Sequence, residues 1–398
     1  MEIRALRPPE LEQAWELDRD AFHAPAARRE LFLRSVDPAR AFGAFDGGRL
    51  CAMAAAHAMA QLFGGRAVPM GGLASVAVAP DRRGQGLAKQ VCAAALRAMR
   101  ERGERISTLY PATTSLYRAL GWEVAGLYVW HKLVPSALRA LPAPARRSLR
   151  PVSLEELALL RGCYERVAAG MPGFLARSDA WWRRLASVWK GHSLYVAEGE
   201  RGQIDGYLVY VQLDGEYGAL GGPFRIAVRE LIAATRDAAL SLWGLLGSWS
   251  SQVSDIYAVG AAEDSLLFAA PEQVLQVLAQ LRWMTRIVDA AGAVAARGFP
   301  DGLDVEVPLT LRDAVLPENE GAHVLRVHKG QGELARATRG AGADSPSLAI
   351  GGFASLYTGF ASTARLARVG LLEGGSPAQR AALDAAFAGP APVCQDEF

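Results

Sequence analysis

Val76-Ala77-Val78-Ala79-Pro80-Asp81-Arg82-Arg83-Gly84-Gln85-Gly86-Leu87-Ala88 reads as a strand that runs through a basic, glycine-containing loop into a helix. Pro80 ends the strand, and Leu87, Val91, Ala95 and Met99 recur at helical spacing over a helix expected from Leu87 to Arg102. A helix that starts straight out of such a loop leaves its first N–H groups without intrahelical acceptors, and its dipole adds partial positive charge there. Gly84 and Gly86 let a ligand oxygen approach the main chain, so Arg83, Gly84, Gln85, Gly86, Leu87 and Ala88 are expected to cradle a diphosphate. Arg82, Arg83 and Lys89 supply charge for a further phosphate. A dinucleotide site is the rival reading, but Lys89 stands where its third glycine is needed. An ordinary loop with a basic rim is the plainer alternative.

Outward from this segment the chain reads as mixed α/β. Ile3 to Leu6 alternates like a strand, and Pro8-Pro9-Glu10 opens a helix to Ala21. Strands at Arg40–Asp46 and Leu50–His57 flank Asp46-Gly47-Gly48, a hairpin signal. Val68–Ala79 and Ile106–Tyr110 are further strands, Ser115–Leu120 is a short helix, and Trp122–Leu133 is expected to close the sheet. Four prolines and Arg146-Arg147 make Pro135–Pro151 a linker. Arg150-Pro151-Val152, a helix over Ser153–Ala168, and strands at Ser193–Ala197 and Gly206–Leu213 then echo the beginning, which suggests a second copy of the fold. That copy shows no glycine-rich loop between strand and helix, Ala261–Leu278 being free of glycine, so it is expected to lack a cofactor. A third composition follows: a helix over Met284–Arg297, strands at Val305–Val307, Val324–Val327 and Leu348–Ile350, and helices at Gly352–Phe360 and Pro377–Ala388.

A chain of 398 residues exceeds one ordinary core, so two or three domains are expected. Apolar residues at 51% and charged residues at 21% suit a globular protein, and no apolar run approaches a membrane span. The opening residues Glu2, Arg4, Arg7, Pro8 and Pro9 are not a secretory signal, which makes a cytoplasmic enzyme the expectation. A formal charge of +2 gives no polyanion footprint, so neither nucleic acid nor a membrane is an expected partner. Cys51, Cys92, Cys163 and Cys394 form no CxxC pair, the six histidines fall in no ligand spacing, and no metal is expected. No serine stands in a GxSxG context. Trp181, Trp182 and Trp189 form a helical stripe expected to pack a core.

Arg83-x-x-Gly86-x-Ala88 resembles the diphosphate signature (Q/R)-x-x-G-x-(G/A) of the GNAT N-acetyltransferases, and the preceding V-x-V-x-P strand matches as well. The resemblance implies acetyl-CoA as acyl donor, with Val76, Ala77 and Val78 pairing with its pantetheine arm like an added strand and Thr113 near the cofactor. Tyr117-x-x-Leu120-Gly121-Trp122 fits the short helix and turn that follow in that fold. A phenol with a reference pKa of about 10 can protonate a departing thiolate. The plainer reading is a tyrosine packed on the sheet.

Over nearly its full length the chain resembles the enhanced intracellular survival (Eis) family of these enzymes, most specifically at Val76–Ala88, Leu116-Tyr117 and Leu383–Phe398. The implied architecture is α/β (α+β), two GNAT-like domains in tandem followed by a sterol-carrier-protein-like domain. Its parts are a catalytic domain at 1–135, a cofactor-free copy at 146–285 and a C-terminal domain at 286–398. The resemblance implies Tyr117 as general acid and the terminal carboxylate of Phe398 as general base, against the usual reading of a disordered terminus. It places Phe22, His23 and Glu397 at the acceptor, a primary amine of an aminoglycoside- or polyamine-like molecule. A lysine-containing protein or peptide is the second candidate, and a non-catalytic acyl-CoA- or lipid-binding protein the third. Ala24 and Ser75 replace an acid and an aromatic of the family pattern, which implies a pocket of different charge and shape. The family also implies a homo-oligomer, a hexamer.

Overall fold

The computed structural model describes residues 1–145, 148–214, 222–260, 266–337, 342 and 344–398. Arg146-Arg147 of the expected linker, and the first five residues of the glycine-free Ala261–Leu278 segment, lie outside them. The chain runs β1 (Glu2–Ala5), α1 (Leu11–Phe22), α2 (Arg29–Ser35), β2 (Ala41–Asp46), β3 (Arg49–Phe63), β4 (Arg66–Val78), α3 (Leu87–Glu101), β5 (Ile106–Leu109), α4 (Thr114–Arg118) and β6 (Glu123–Leu133). There follow α5 (Pro135–Leu138), β7 (Leu149–Val152), α6 (Leu157–Ala168), α7 (Asp179–Val188), β8 (Ser193–Glu198), β9 (Ile204–Leu213), β10 (Phe224–Ala233), α8 (Arg236–Gly247), β11 (Val253–Gly260), α9 (Leu266–Ala269) and β12 (Gln276–Ile287). The last part holds α10 (Ala290–Ala296), β13 (Val305–Arg312), β14 (Gly321–His328), β15 (Gln331–Arg336), β16 (Ser347–Ala349), α11 (Ile350–Tyr357), α12 (Thr363–Arg368), β17 (Leu372–Glu373) and α13 (Pro377–Ala386).

These elements form two units. One comprises Met1–Gly126, Arg282–Pro392 and Asp396–Phe398; the other comprises Leu127–Leu281 and Val393–Gln395. In the first unit β1 to β4 pair antiparallel in order, and β4 pairs parallel with β5. The hairpin at Asp46 forms as expected, with Gly47 and Gly48 both at positive φ of 55° and 86°. One face packs Trp15, Leu17 and Phe32 of α1 and α2 against Met53, Ala55 and Ala77. The other packs Leu87, Val91, Ala95, Leu96 and Met99 of α3 against Ala52, Ala54 and Leu73. The helical spacing seen in the sequence is therefore the buried stripe of α3, each large aliphatic stabilising by roughly 1.5–3 kcal/mol.

Two expectations are corrected in this unit. Met284–Arg297 is not one helix: β12 runs to Ile287, and a helix begins only at Ala290, where the Asp289 side chain accepts from Gly292 N–H. Trp283, Met284, Thr285, Arg286 and Ile287 are all buried, and a strand covered on both faces loses the alternation that separates it from a helix. The second correction concerns the closing strand. Met284–Ile287 pairs antiparallel with Leu109–Ile106, and Thr108 Oγ1 meets Thr285 Oγ1 at 3.1 Å beside Gln61. In the second unit Val129–Leu133 of β6 pairs with Gly260–Ile256 of β11. The two copies thus exchange their last strands, because period-two alternation says that a strand is half-buried but not which sheet receives it.

The second unit repeats the N-terminal part of the first. β7 to β10 are antiparallel in order, β10 pairs parallel with β11, and α8 follows β10 as α3 follows β4. The counterpart of the glycine loop is therefore Ala234-Thr235, upstream of the Ala261–Leu278 segment. Trp181, Trp182 and Trp189 are buried there, as expected. The second sheet of the first unit, in the order β15-β14-β13-β16-β17, belongs to the C-terminal part.

Candidate active site

The loop after β4 has the geometry its composition implies. Gly84 and Gly86 take φ of 77° and 74°, a region that L-residues enter at a cost, and Gly86 is the residue before α3. No side chain caps that helix, and a Cβ at either glycine would meet nothing within 4 Å. Among the described residues no protein acceptor takes the N–H of Gly84, Gln85 or Gly86, and Leu87 and Ala88 add first-turn N–H groups. Leu87 is buried and anchors the helix, while Arg83, Gly84, Gln85 and Gly86 are exposed. The cationic rim divides. Arg82 is held by Asp46 at 2.6 Å and Arg49 holds Asp81 at 2.8 Å, whereas Arg83 and Lys89 have no carboxylate within 4.0 Å among the described residues.

β4 reaches this loop as an open edge. Its pairing with β5 covers Met70, Gly71 and Gly72, opposite Ile106, Ser107 and Thr108, and ends there. From Ala74 to Val78 the strand pairs with β3, with a bulge between Met53 and Ala55. Ser75 sits in that bulge at φ 51°, an uncommon conformation for a residue with a side chain. The bulge re-aims the peptide groups around Val76 and leaves Val76 and Val78 against the α3 face and Ala77 against the α1 face. The Ser75 hydroxyl donates to Asp18 of α1, whose carboxyl is buried and raised above its ordinary range chiefly by that burial. The sequence marked Ser75 only as a missing aromatic and did not single out Asp18. A glycine pair in mid-strand, Gly71-Gly72, was the available signal for a close approach.

Tyr117 lies in α4, buried among Leu87, Val91, Cys92 and Leu96, with its ring 6.0 Å from that of Trp122. Burial drives its phenol well above the ordinary value, so it carries its proton at neutral pH. The adjacent Cys92 thiol is pushed up to about 12 by the same cause. The turn after α4 is pinned from β12. Arg286 donates from Nε to Leu120 O at 2.8 Å, and a Cβ on Gly121, at φ 88°, would meet that nitrogen at 2.8 Å. Thr113, exposed just before α4, shares a 3.3 Å hydroxyl contact with Ser115.

The chain terminus returns to β4. Tyr110 OH donates to Asp396 O at 3.2 Å, its ring lies 5.7 Å from that of Phe398, and the Phe398 ring covers Gly72. Phe398 therefore meets β4 where the pairing with β5 stops. Glu397 is exposed and Asp396 buried. Phe22 ends α1, half exposed, and His23 caps it at φ 51°, its N–H donating to Arg19 O. Neither makes a ring contact or hydrogen bond to the terminus among the described residues.

The equivalent bulge of β10 is filled. Glu230, following that bulge, accepts from Arg177 at 2.9 and 2.5 Å and from Tyr207, and Arg177 stacks over Tyr164 at 3.8 Å. At the start of α8 the Thr235 hydroxyl takes the Ala238 N–H, and the lining of the adjoining cavity of about 790 Å³ includes four carboxylates, Glu198, Glu200, Asp205 and Asp237, against two guanidiniums, Arg201 and Arg236. A helix end already capped and faced by carboxylates disfavours a diphosphate.

Comparison with known proteins agrees with this arrangement. Two models for GNAT acetyltransferase domains match residues 2–125 and 173–287, and a sterol carrier protein domain model matches 290–395. A GCN5-related N-acetyltransferase from Kribbella flavida is 31% identical, with a TM-score of 0.87 over 100% of this chain and 98% of that one. One from Anabaena variabilis superposes over the whole of both chains with a TM-score of 0.91 at 27% identity. The N-acetyltransferase Eis of Mycobacterium tuberculosis is 27% identical over 82% of this chain and 80% of its own. Two GNAT domains and a sterol-carrier-like domain define an N-acetyltransferase. The chain belongs to the GCN5-related N-acetyltransferases, in their Eis-like branch, and enzymes of this fold use acetyl-CoA as acyl donor. Among the described residues no helix is long and apolar enough to cross a membrane.

Proposed function

We propose that the enzyme transfers the acetyl group of acetyl-CoA to a primary amine of a small, aminoglycoside- or polyamine-like molecule. The observation that carries this reading is the seating of Phe398 on Gly72, where β4 and β5 part beside the open edge of Ala74–Val78. The N–H groups of Gly84 to Gly86 and the charges of Arg83 and Lys89, without an acceptor or carboxylate partner among the described residues, suit the diphosphate and phosphate of the donor. The strand edge from Val76 to Val78 suits its pantetheine amides.

In the reaction the neutral amine attacks the thioester carbonyl carbon. A C–N bond forms, the C–S bond breaks, and main-chain N–H groups re-aimed by the bulge favour the developing oxyanion. The terminal carboxylate of Phe398 takes the amine proton, directly or through water, and Tyr117 gives its proton to the departing thiolate. A carboxylate with a reference pKa near 3.5 is ionised at neutral pH, and a phenol raised by burial is protonated, so each group starts in the required state. The exposed carboxylate of Glu397, next to Phe398, favours an ammonium-bearing acceptor.

A panel of polyamines, aminoglycosides and lysine peptides, assayed for release of the coenzyme A thiol, tests the reading. Turnover confined to lysine peptides would overturn the acceptor class. A chain extended by one glycine beyond Phe398 is expected to bind acetyl-CoA and lose turnover; full activity in that chain would remove the carboxylate from the mechanism.

A further inference from the structure

We propose that Gly72 and Tyr110 form a seat that sets the position of the Phe398 carboxylate, so that both are positioning residues for acetyl transfer. The inference rests on the reading of that carboxylate as the base. Gly72 is buried in β4, and its φ is one that any residue can adopt. Backbone conformation therefore does not demand glycine there; space does. A Cβ at position 72 would stand 2.9 and 3.0 Å from Phe398 Cδ2 and Cε2 and 2.8 Å from Met59 Sδ, all closer than packed carbon atoms tolerate. Two of these three close atoms belong to the Phe398 ring. An added methyl would displace the ring, and the carboxylate with it.

Tyr110 grips the same tail at a second point. Its hydroxyl donates to the carbonyl of Asp396 at 3.2 Å, two residues before the end, and its ring faces that of Phe398 at 5.7 Å and 59°. One attachment would leave the last residues free to swing, as chain ends do. Attachment at Asp396 and at the ring of Phe398 fixes the direction in which the carboxylate leaves the backbone. A base must lie within about 3 Å of the proton it takes, or one water away, so the seat governs turnover rather than donor binding.

Gly72→Ala is expected to lower kcat at least 100-fold while the KM for acetyl-CoA stays within twofold. Adding Phe398→Leu, which shortens the ring that the methyl meets, is expected to raise kcat at least tenfold over Gly72→Ala alone, a coupling absent between independent sites. Tyr110→Phe keeps the ring and loses the hydroxyl bond; it is expected to lower kcat about tenfold at unchanged melting temperature. Wild-type kcat in Gly72→Ala, or no recovery in the double variant, would overturn the seat. Should Gly72→Ala not fold, wild-type kcat in Tyr110→Phe would overturn it. Full activity in the glycine-extended chain would defeat the base itself; an inactive extended chain beside a fully active Gly72→Ala would defeat only the seat.

Discussion

Arg286 donates to both carboxylate oxygens of Asp313, at 2.6 and 2.7 Å, with both side chains almost wholly buried. Burial lowers the Arg286 pKa, and Asp313 opposes that shift. The same guanidinium holds Leu120 O, so one buried ion pair supports the turn behind Tyr117. Arg286→Leu strands the Asp313 charge and is expected to cost about 3–5 kcal/mol of unfolding free energy, read from denaturant melts. A change below 1 kcal/mol would show that the pair is dispensable.

Tyr117→Phe keeps the buried ring and removes only the proton. We expect kcat to fall about 100-fold or more with the KM for acetyl-CoA little changed, because a proton supplied during C–S cleavage lowers the barrier and not the ground state. Equal loss in both parameters would mean that Tyr117 shapes the site and does not act in it.

Arg82 and Arg83 are neighbours with different commitments. Arg82 pairs with Asp46, while among the described residues no carboxylate lies within 4.0 Å of Arg83. Arg83→Ala is expected to raise the KM for acetyl-CoA, by a factor that shrinks as salt screens the interaction. Arg82→Ala should leave KM nearly unchanged. Gly86→Ala forces a side chain into the left-handed region, at about 1–2 kcal/mol, and should weaken donor binding with it.

Asp18 carries a pH signature. Its carboxyl is raised by burial above an ordinary value of 3.8, against smaller opposing effects of Ser75 and Arg28. A carboxyl whose folded pKa is raised costs stability, and the cost is absent below the unfolded value. It grows as pH rises from about 4 to the folded value and is complete above it. Asp18→Asn is therefore expected to melt higher than wild type at pH 7, with the difference closing below about pH 4. A lower melting temperature at neutral pH would show that the Ser75 bond outweighs burial.

The turn of Gly84 and Gly86 into α3 and the α3 stripe were legible because each depends on local spacing: glycines before a helix, and apolar residues three and four apart. The echo of the first copy in the second was legible at Arg150-Pro151-Val152 for the same reason. Met284–Ile287 was misread because complete burial erases alternation, and the partner of β5 lies 177 residues away at Thr285. The bulge at Ser75 and its bond to Asp18 join residues of two elements through a conformation that no residue type in the stretch announces. Gly72 could have been noticed, but what fills its space is the last residue of the chain.

The exchange of closing strands bears on synthesis. When a ribosome has made the first five strands, the sheet that bears the Gly84–Gly86 loop still lacks the strand that covers Ile106–Leu109, and that strand arrives only after the whole second copy. Until then β5 presents an unpaired strand edge, the kind that recruits foreign strands. A chain cut at residue 135 keeps that edge for good. Vectorial growth thus makes the second copy, which has no glycine loop between β10 and α8, a prerequisite for finishing the first.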